Sequence, residues 1–232
     1  MADQGVPLNR RSEPFLNRPL SAFSRFLFWV ASRCPHWLFM YNRGILVRSE
    51  MPSARFRSYS QYSFSVAKHV DLEDIERLSH IPQHELQRRR LEGDWAYITR
   101  DLTDHQLVNI LWVHQGKCFI KGFGLILDID ETEAYLYGGF TVPEARMKGL
   151  FDSSLYDVCS GLRSGGTKCF HALIEEWNVS SYCYHIRLGF KPIMKVVYLR
   201  VVLFKICCSY HLEKRKVKIA LFVTRPADLR YI

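Results

Sequence analysis

The residues best suited to chemistry lie between Ala134 and Phe190. A β-type run, Ala134 to Val142, enters a turn at Pro143 and then a basic, glycine-containing turn, Arg146 to Phe151. A helix is predicted from Asp152 to Leu162, stopped by Gly165-Gly166. A strand that feeds a turn and then a helix leaves the first N–H groups of that helix without intrahelical acceptors. Those donors and the positive end of the helix dipole suit a phosphate or diphosphate. Gly149 lets the backbone approach an anion, and Arg146 and Lys148 add charged donors. An ordinary strand–helix junction with solvated basic residues has the same pattern, since short glycine motifs recur by chance. A second apolar run, Cys169 to Ile174, ends at Asn178, and a short amphipathic helix closes on Leu188-Gly189-Phe190.

Two blocks in this stretch resemble the GNAT superfamily of acyl-CoA-dependent N-acyltransferases. The turn (R/Q)-x-x-G-x-(G/A) stands here as Arg146-Met147-Lys148-Gly149-Leu150-Phe151, with Phe151 where the last small residue belongs. The block N-x-x-[AS]-x-x-x-[YH]-x-x-L-G-F stands as Asn178, Ser181, His185, Leu188, Gly189 and Phe190, all in register, and its histidine is similar to the phosphinothricin acetyltransferase branch. The resemblance spans roughly Phe64 to Phe204. It implies an α+β fold of the α/β/α kind, a mixed, mostly antiparallel twisted sheet with helices on both faces. It also implies acetyl-CoA as co-substrate and no metal.

By that resemblance, backbone groups near Phe140, Thr141 and Val142 hold the pantetheine arm and acyl carbonyl. The turn Arg146, Met147, Lys148, Gly149, Leu150 and Phe151, ending at Asp152, holds the pyrophosphate, and a splay between the fourth and fifth strands makes room for the thioester. Asn178 corresponds to the asparagine that bonds the cofactor arm or strand end, and it can also cap the helix Val179 to Arg187. His185 falls where relatives carry a tyrosine that protonates the departing thiolate; an imidazole can do this, or it can bond CoA or the backbone instead. Tyr184, one residue earlier, points about 100° away and reads as core.

N-acyl transfer requires a neutral amine, a donor to the oxyanion and proximity. Glu133, at the start of the fourth strand, and Glu175, late in the fifth, are the candidate bases, each with solvated surface as the competing role. Strand parity groups Glu175 with His171 and Leu173, and Glu176 with Ala172 and Ile174, so one of the two should face out. His114 and His171 read as structural. Phe151 puts a ring where backbone should hug the diphosphate. Asp152 adds negative charge at a helix start, favourable to the helix but not to an anion.

The rest of the chain must position these groups. Its 232 residues, 48% hydrophobic, fit one domain with extensions. A net charge of +9 points to anionic partners. The seven cysteines form no C-x-x-C and suit a reducing cytosol. Three parts are expected. Residues 1–60 form a basic, aromatic extension, with a helix over about 20–33 that Pro19 opens and Pro35 stops, and a Ser-rich linker, Arg43 to Ser60. Residues 61–204 hold the acyltransferase domain, and 205–232 an extension that adds a strand. With nine arginines against Asp3, Glu13 and Glu50, the first part fits a helix lying on an anionic membrane, the inner face in a cytoplasmic protein, or packed on the core or a partner subunit.

Strands are expected at Phe64 to Val70, Asp94 to Arg100, Leu107 to Val113, Leu125 to Asp128, Lys191 to Phe204 and Val217 to Val223. Helices follow at Leu72 to Leu78, capped by Asp71, and at Glu85 to Leu91, whose Arg88-Arg89-Arg90 reads as a solvated face. The reading is an acetyltransferase acting on a small amine: an amino sugar, an amino acid or a xenobiotic. Its alternatives are acyl transfer from acyl carrier protein or a longer acyl-CoA, and a non-catalytic GNAT-like module at a membrane. Scattered basic residues without a recognised motif argue against nucleic acid.

Overall fold

The computed structural model describes residues 22–34, 39–53, 59–201, 204–212, 214 and 216–223. The early arginines Arg10, Arg11 and Arg18, the helix-opening Pro19, Pro35 and Trp37-Leu38 lie outside the described residues.

The elements run α1 (Ala22–Ala31), β1 (Phe39–Ser49), β2 (Tyr62–Val66), α2 (Leu72–Ser79), α3 (Gln83–Leu91), β3 (Trp95–Asp101) and β4 (Leu107–Gln115). They continue with β5 (Cys118–Ile120), β6 (Leu125–Leu127), β7 (Glu133–Thr141), α4 (Leu150–Ser164), β8 (Cys169–Glu175), α5 (Val179–Arg187), β9 (Lys191–Val201), β10 (Phe204–His211) and β11 (Lys216–Val223). Nine strands form one sheet in the order β11-β10-β9-β1-β8-β7-β4-β3-β2, and β5 and β6 pair by themselves. All recorded neighbours are antiparallel except β7 and β8. This is the mixed α+β architecture expected from the sequence.

Alternation along the strands assigns the two faces. Ile45, Val47, Leu111, Val113, Ala134, Leu136, Phe170, Ala172 and Ile174 face α4 and α5, where Leu155, Val158 and Tyr182 complete the main core. Ala96, Ile98, Ile110 and Trp112 face the other way, against Leu72, Ile75 and Leu86 of α2 and α3. On that second face Phe123 and Leu127, from the β5–β6 segment, cover the half of the sheet nearer β9.

The placement of β1 corrects the expectation of a linker from Arg43 onward. Gly44 pairs with Glu175 on one side and with Val196 on the other. Because β1 is antiparallel to both β8 and β9, those two strands are parallel to each other, and β1 fills the gap that the α5 crossover leaves. Ile45, Leu46 and Val47 are all buried, so the stretch is an apolar strand flanked by two arginines rather than a polar connector. The folded unit therefore begins before residue 61. Two smaller differences have local causes. The expected single strand Lys191 to Phe204 is a hairpin arm that ends at Val201, opposite Phe204. Asp71 stands at the start of α2 without bonding its amides; its carboxylate accepts from the Lys68 amide at 2.6 Å and from Arg100 at 2.7 Å.

Candidate functional site

Strands β7 and β8 stay together for three residue pairs, Glu133–Cys169, Ala134–Phe170 and Tyr135–His171. Beyond Tyr135, β7 remains bonded to β4, and β8 to β1. The two strands splay, leaving an open wedge between Tyr137–Thr141 and the second half of β8. A bulge marks where β7 turns away. Ile110 opposes Phe140 and Trp112 opposes Tyr137, so Leu111 faces two residues, Gly138 and Gly139. Gly138 sits at φ +58, the conformation a bulge of this kind requires of its glycine. The Val142 amide bonds Val108 of β4 at 3.0 Å. Successive amides of an antiparallel strand point to opposite edges, so the Thr141 amide is directed at the wedge.

Past Thr141 the chain makes a short 3-10 turn at Pro143–Ala145 and reaches α4 through Met147 at φ +61 and Gly149 at φ +79. The α4 amides of Leu150, Phe151 and Asp152 have no intrahelical acceptor, and the Gly149 N-cap has no side chain to offer one. Arg146, Met147 and Lys148 are exposed at the mouth. Arg146 Nε donates to the Thr141 carbonyl at 3.0 Å, which folds the guanidinium back over the strand end. The Tyr59 hydroxyl donates to the Lys148 carbonyl and anchors the turn from behind. A buried polar chain sets the helix against the strands. Thr141 Oγ1 donates to Asn109 Oδ1 at 2.8 Å, Asn109 Nδ2 donates to Ser154 Oγ at 2.8 Å, and Ser154 lies 2.9 Å from Thr99. Helix α4, the end of β7 and two further strands are thereby locked in one geometry.

Phe151 is turned into this arrangement. Its ring lies over Gly139 on the α4 side of the bulge and meets Tyr184 edge-on at 5.6 Å. Tyr184 is half-buried and packs against the main core as expected, and its hydroxyl donates to Asp152. Burial and that carboxylate hold the phenol well above its ordinary range. The Asp152 carboxylate thus bonds a side chain of α5.

The predicted catalytic residues do not all meet. Asn178 caps α5, accepting from the Ser181 amide at 3.1 Å. His185 packs edge-on between Tyr184 and Phe190, with Nδ1 2.7 Å from the Ser181 carbonyl. A carbonyl can only accept, so Nδ1 carries the proton. Burial holds this imidazole below its ordinary range and so neutral, which leaves Nε2 as an acceptor rather than a proton donor. Glu175 ends β8 at the open wedge, on the face away from α4, and burial alone raises its carboxyl. Glu176 ion-pairs with Arg43 at 2.5 Å. Glu133 is not brought to the wedge. It lies at the closed end, where β7 and β8 are still paired, four residues or about 13 Å short of Tyr137, beside Arg48 at 3.2 Å and His171 at 3.3 Å.

On the second face, a cavity of about 410 Å³ opens between α3 and the β5–β6 segment. Tyr135 and Tyr137, stacked at 5.3 Å, belong to its lining, along with Asp94, His114, Arg88 and Arg89. Asp94 is a hub, 2.5 Å from His114 Nδ1 and accepting from the Tyr137 hydroxyl at 2.5 Å. Arg89 does not lie on a solvated face; its guanidinium is 5.1 Å from the Trp112 ring centre and 5.2 Å from that of Tyr137. Sequence reasoning missed this cavity. The paired glycines in mid-strand are the one signal that pointed to the bulge beside it.

No family model and no curated protein matches the chain. Solved structures do. A Drosophila protein aligns with a TM-score of 0.53 at 13% identity, over 78% of this chain and 57% of its own. A tandem GNAT protein from the clavulanic acid biosynthesis pathway aligns at 0.51 and 12%, over 68% and 52%. A glucosamine N-acetyltransferase region of a fungal multi-domain beta-N-acetylglucosaminidase aligns at 0.50 and 13%, over 78% and 23%. The chain spans little more than half the length of the first two. These likenesses show the fold alone, one shared with the tandem GNAT protein and the fungal N-acetyltransferase region.

Proposed function

We propose that this chain is an N-acyltransferase that moves an acetyl group from acetyl-CoA to the primary amine of a small polar molecule. One observation carries the reading. The wedge between β7 and β8 and the glycine-capped start of α4 are joined by the short segment Val142 to Lys148, so a thioester arm and its diphosphate can be held at once. The residues present fit the diphosphate end: the Leu150, Phe151 and Asp152 amides open the helix, Gly149 leaves room, and Arg146 and Lys148 add charge. The Thr141 amide fits the arm, and Asn178 stands at the start of α5 on the far side of the wedge.

The bound acyl-CoA supplies an activated carbonyl; the protein supplies position and a proton acceptor. The amine approaches from the second face, where the cavity beside Tyr137 has the size of a small-molecule site. Glu175 lies on that face at the wedge, and its raised carboxyl makes it a better base than a solvated carboxylate. As the C–N bond forms and the C–S bond breaks, Glu175 takes the amine proton through water, and the thiolate leaves along the α4 side. The charged groups in the mixed lining of the cavity, among them Glu85, Arg88, Asp94 and Lys117, offer partners to an amino sugar or amino acid.

Thiol release from acetyl-CoA, measured across a panel of amino sugars, amino acids and xenobiotic amines, tests this directly. Turnover with one class names the acceptor. Calorimetry that detects no CoA binding removes the reading. A second reading, a GNAT-like module without turnover, is favoured by the Phe151 ring over Gly139; it predicts weak or absent CoA binding. Donation from acyl carrier protein predicts turnover with that carrier and not with acetyl-CoA.

A further inference from the structure

We infer that α1 is an interfacial anchor that seats this protein on an anionic lipid surface, aromatic side down. The helix turns an aromatic stripe outward. Among its described side chains Ser24 is buried, 7% exposed, with its hydroxyl 3.2 Å from that of Tyr41 and accepting from Arg43 Nη1 at 3.1 Å, and Leu27, Val30 and Ala31 are half-buried. Polar contacts to β1 thus take part in holding α1 in place. Phe23, Phe26 and Trp29 stand 69, 56 and 53% exposed. Three-residue spacing places them within an arc of about 120°. A helix of a soluble domain turns such a stripe to the core; one turned outward marks a docking surface.

Charge selects lipid as the occupant. The first 60 residues hold nine arginines against three acids, and two of the nine, Arg43 and Arg48, pair with Glu176 and Glu133. Arg25 and Arg33 are exposed on or beside the helix, and Arg33 lies 4.3 Å from the Trp29 ring centre. Aromatic residues rimmed by arginine suit the boundary between headgroups and acyl chains. The helix has ten residues, about 15 Å of length, half of a hydrocarbon core, so it lies in the interface plane. A second apolar pair stands at the same end of the sheet. Phe39, which opens β1, pairs with Val201, and Val201 with Phe204, and both Val201 and Phe204 are exposed.

The test is flotation of the full chain with vesicles of equal parts phosphatidylcholine and phosphatidylglycerol, and with phosphatidylcholine alone. The triple variant Phe23→Ser, Phe26→Ser, Trp29→Ser changes exposed positions, and circular dichroism verifies that it folds. The parent should float with the anionic vesicles and bind the neutral ones far less. The triple variant should partition at least about tenfold more weakly, and Arg25→Ala with Arg33→Ala should reduce binding to anionic vesicles alone. No flotation, equal binding of parent and triple variant, or equal binding to both vesicles overturns the proposal. So does a dimer that the triple variant abolishes without any vesicle binding, which would assign the face to a second copy of this chain.

Discussion

Phe151 and Gly139 are complementary: a methyl group on Gly139 would stand 2.6 Å from Cε2 of the Phe151 ring and 3.0 Å from Cζ. The glycine in the strand makes room for the aromatic ring in the helix. Gly139→Ala should cost about 1 kcal/mol, because the Phe151 ring must shift to admit the methyl, measured by urea unfolding. Phe151→Ala should remove most of that penalty, because the two changes act on one contact. Equal penalties in both backgrounds would show that the ring does not rest on the strand.

Phe151→Ala also reports on the wedge. In the proposed acyltransferase it clears the side of β7 along which the thioester arm would lie. CoA affinity, read by calorimetry, should rise severalfold even as the melting temperature falls. Lower affinity would show that the ring belongs to the CoA surface.

Glu175→Gln separates chemistry from stability. A carboxyl raised by burial means that the native state holds more protons than the unfolded chain between the ordinary carboxylate range and the raised value. Its contribution to stability is therefore present at low pH and lost as pH rises through the raised value. The amide carries no charge, so Glu175→Gln should match or exceed the parent in stability at neutral pH. If Glu175 is the base, turnover should fall by about 10²-fold or more, and the acidic limb of kcat/KM should disappear. Unchanged turnover would return Glu175 to a packing role.

His171 and His185 make the fold acid-sensitive. Burial holds both imidazoles below their ordinary range. The unfolded chain therefore takes up protons that the native state refuses, and stability falls as pH drops below about 6.5. Urea midpoints should decline across that interval. His171→Gln with His185→Gln should flatten the decline; an equally steep decline in the double variant would place the sensitivity elsewhere.

Asn109 should matter more than its distance from the solvent-facing turn suggests. It is fully buried and links Thr141 to Ser154. Asn109→Ala leaves both hydroxyls short of a partner, at a cost of about 1–3 kcal/mol, and frees α4 from the strand end. Weaker CoA binding should accompany the loss of stability; stability loss with CoA affinity unchanged would make the network structural alone.

Much of this was legible in the sequence where a local signal existed. The helix Val179–Arg187 matches its predicted bounds, because Asn178 is a strong cap and Leu188-Gly189 a clear stop. Strand β7 and the glycine turn after it follow from alternation and from Gly149. Other features depend on residues far apart in sequence and left no such mark. The stretch Gly44 to Arg48 reads as a basic linker until strands β8 and β9 are there to bury its apolar centre. Arg89 reads as solvated until Trp112 and Tyr137 rise beneath it. The tautomer of His185 is set by the Ser181 carbonyl, and Glu133 is held at the closed end, where β7 and β8 still pair.

The position of β1 has a consequence for how the molecule comes into being. A strand made before either of its neighbours finds them only after Glu175 and Val196 have been added, more than a hundred residues later. Until then Ile45, Leu46 and Val47 have nowhere to go, and closure of the sheet across such a span is slow. The aromatic helix just ahead of them emerges before they do, so an anchor of the kind proposed above is complete before the domain it would carry.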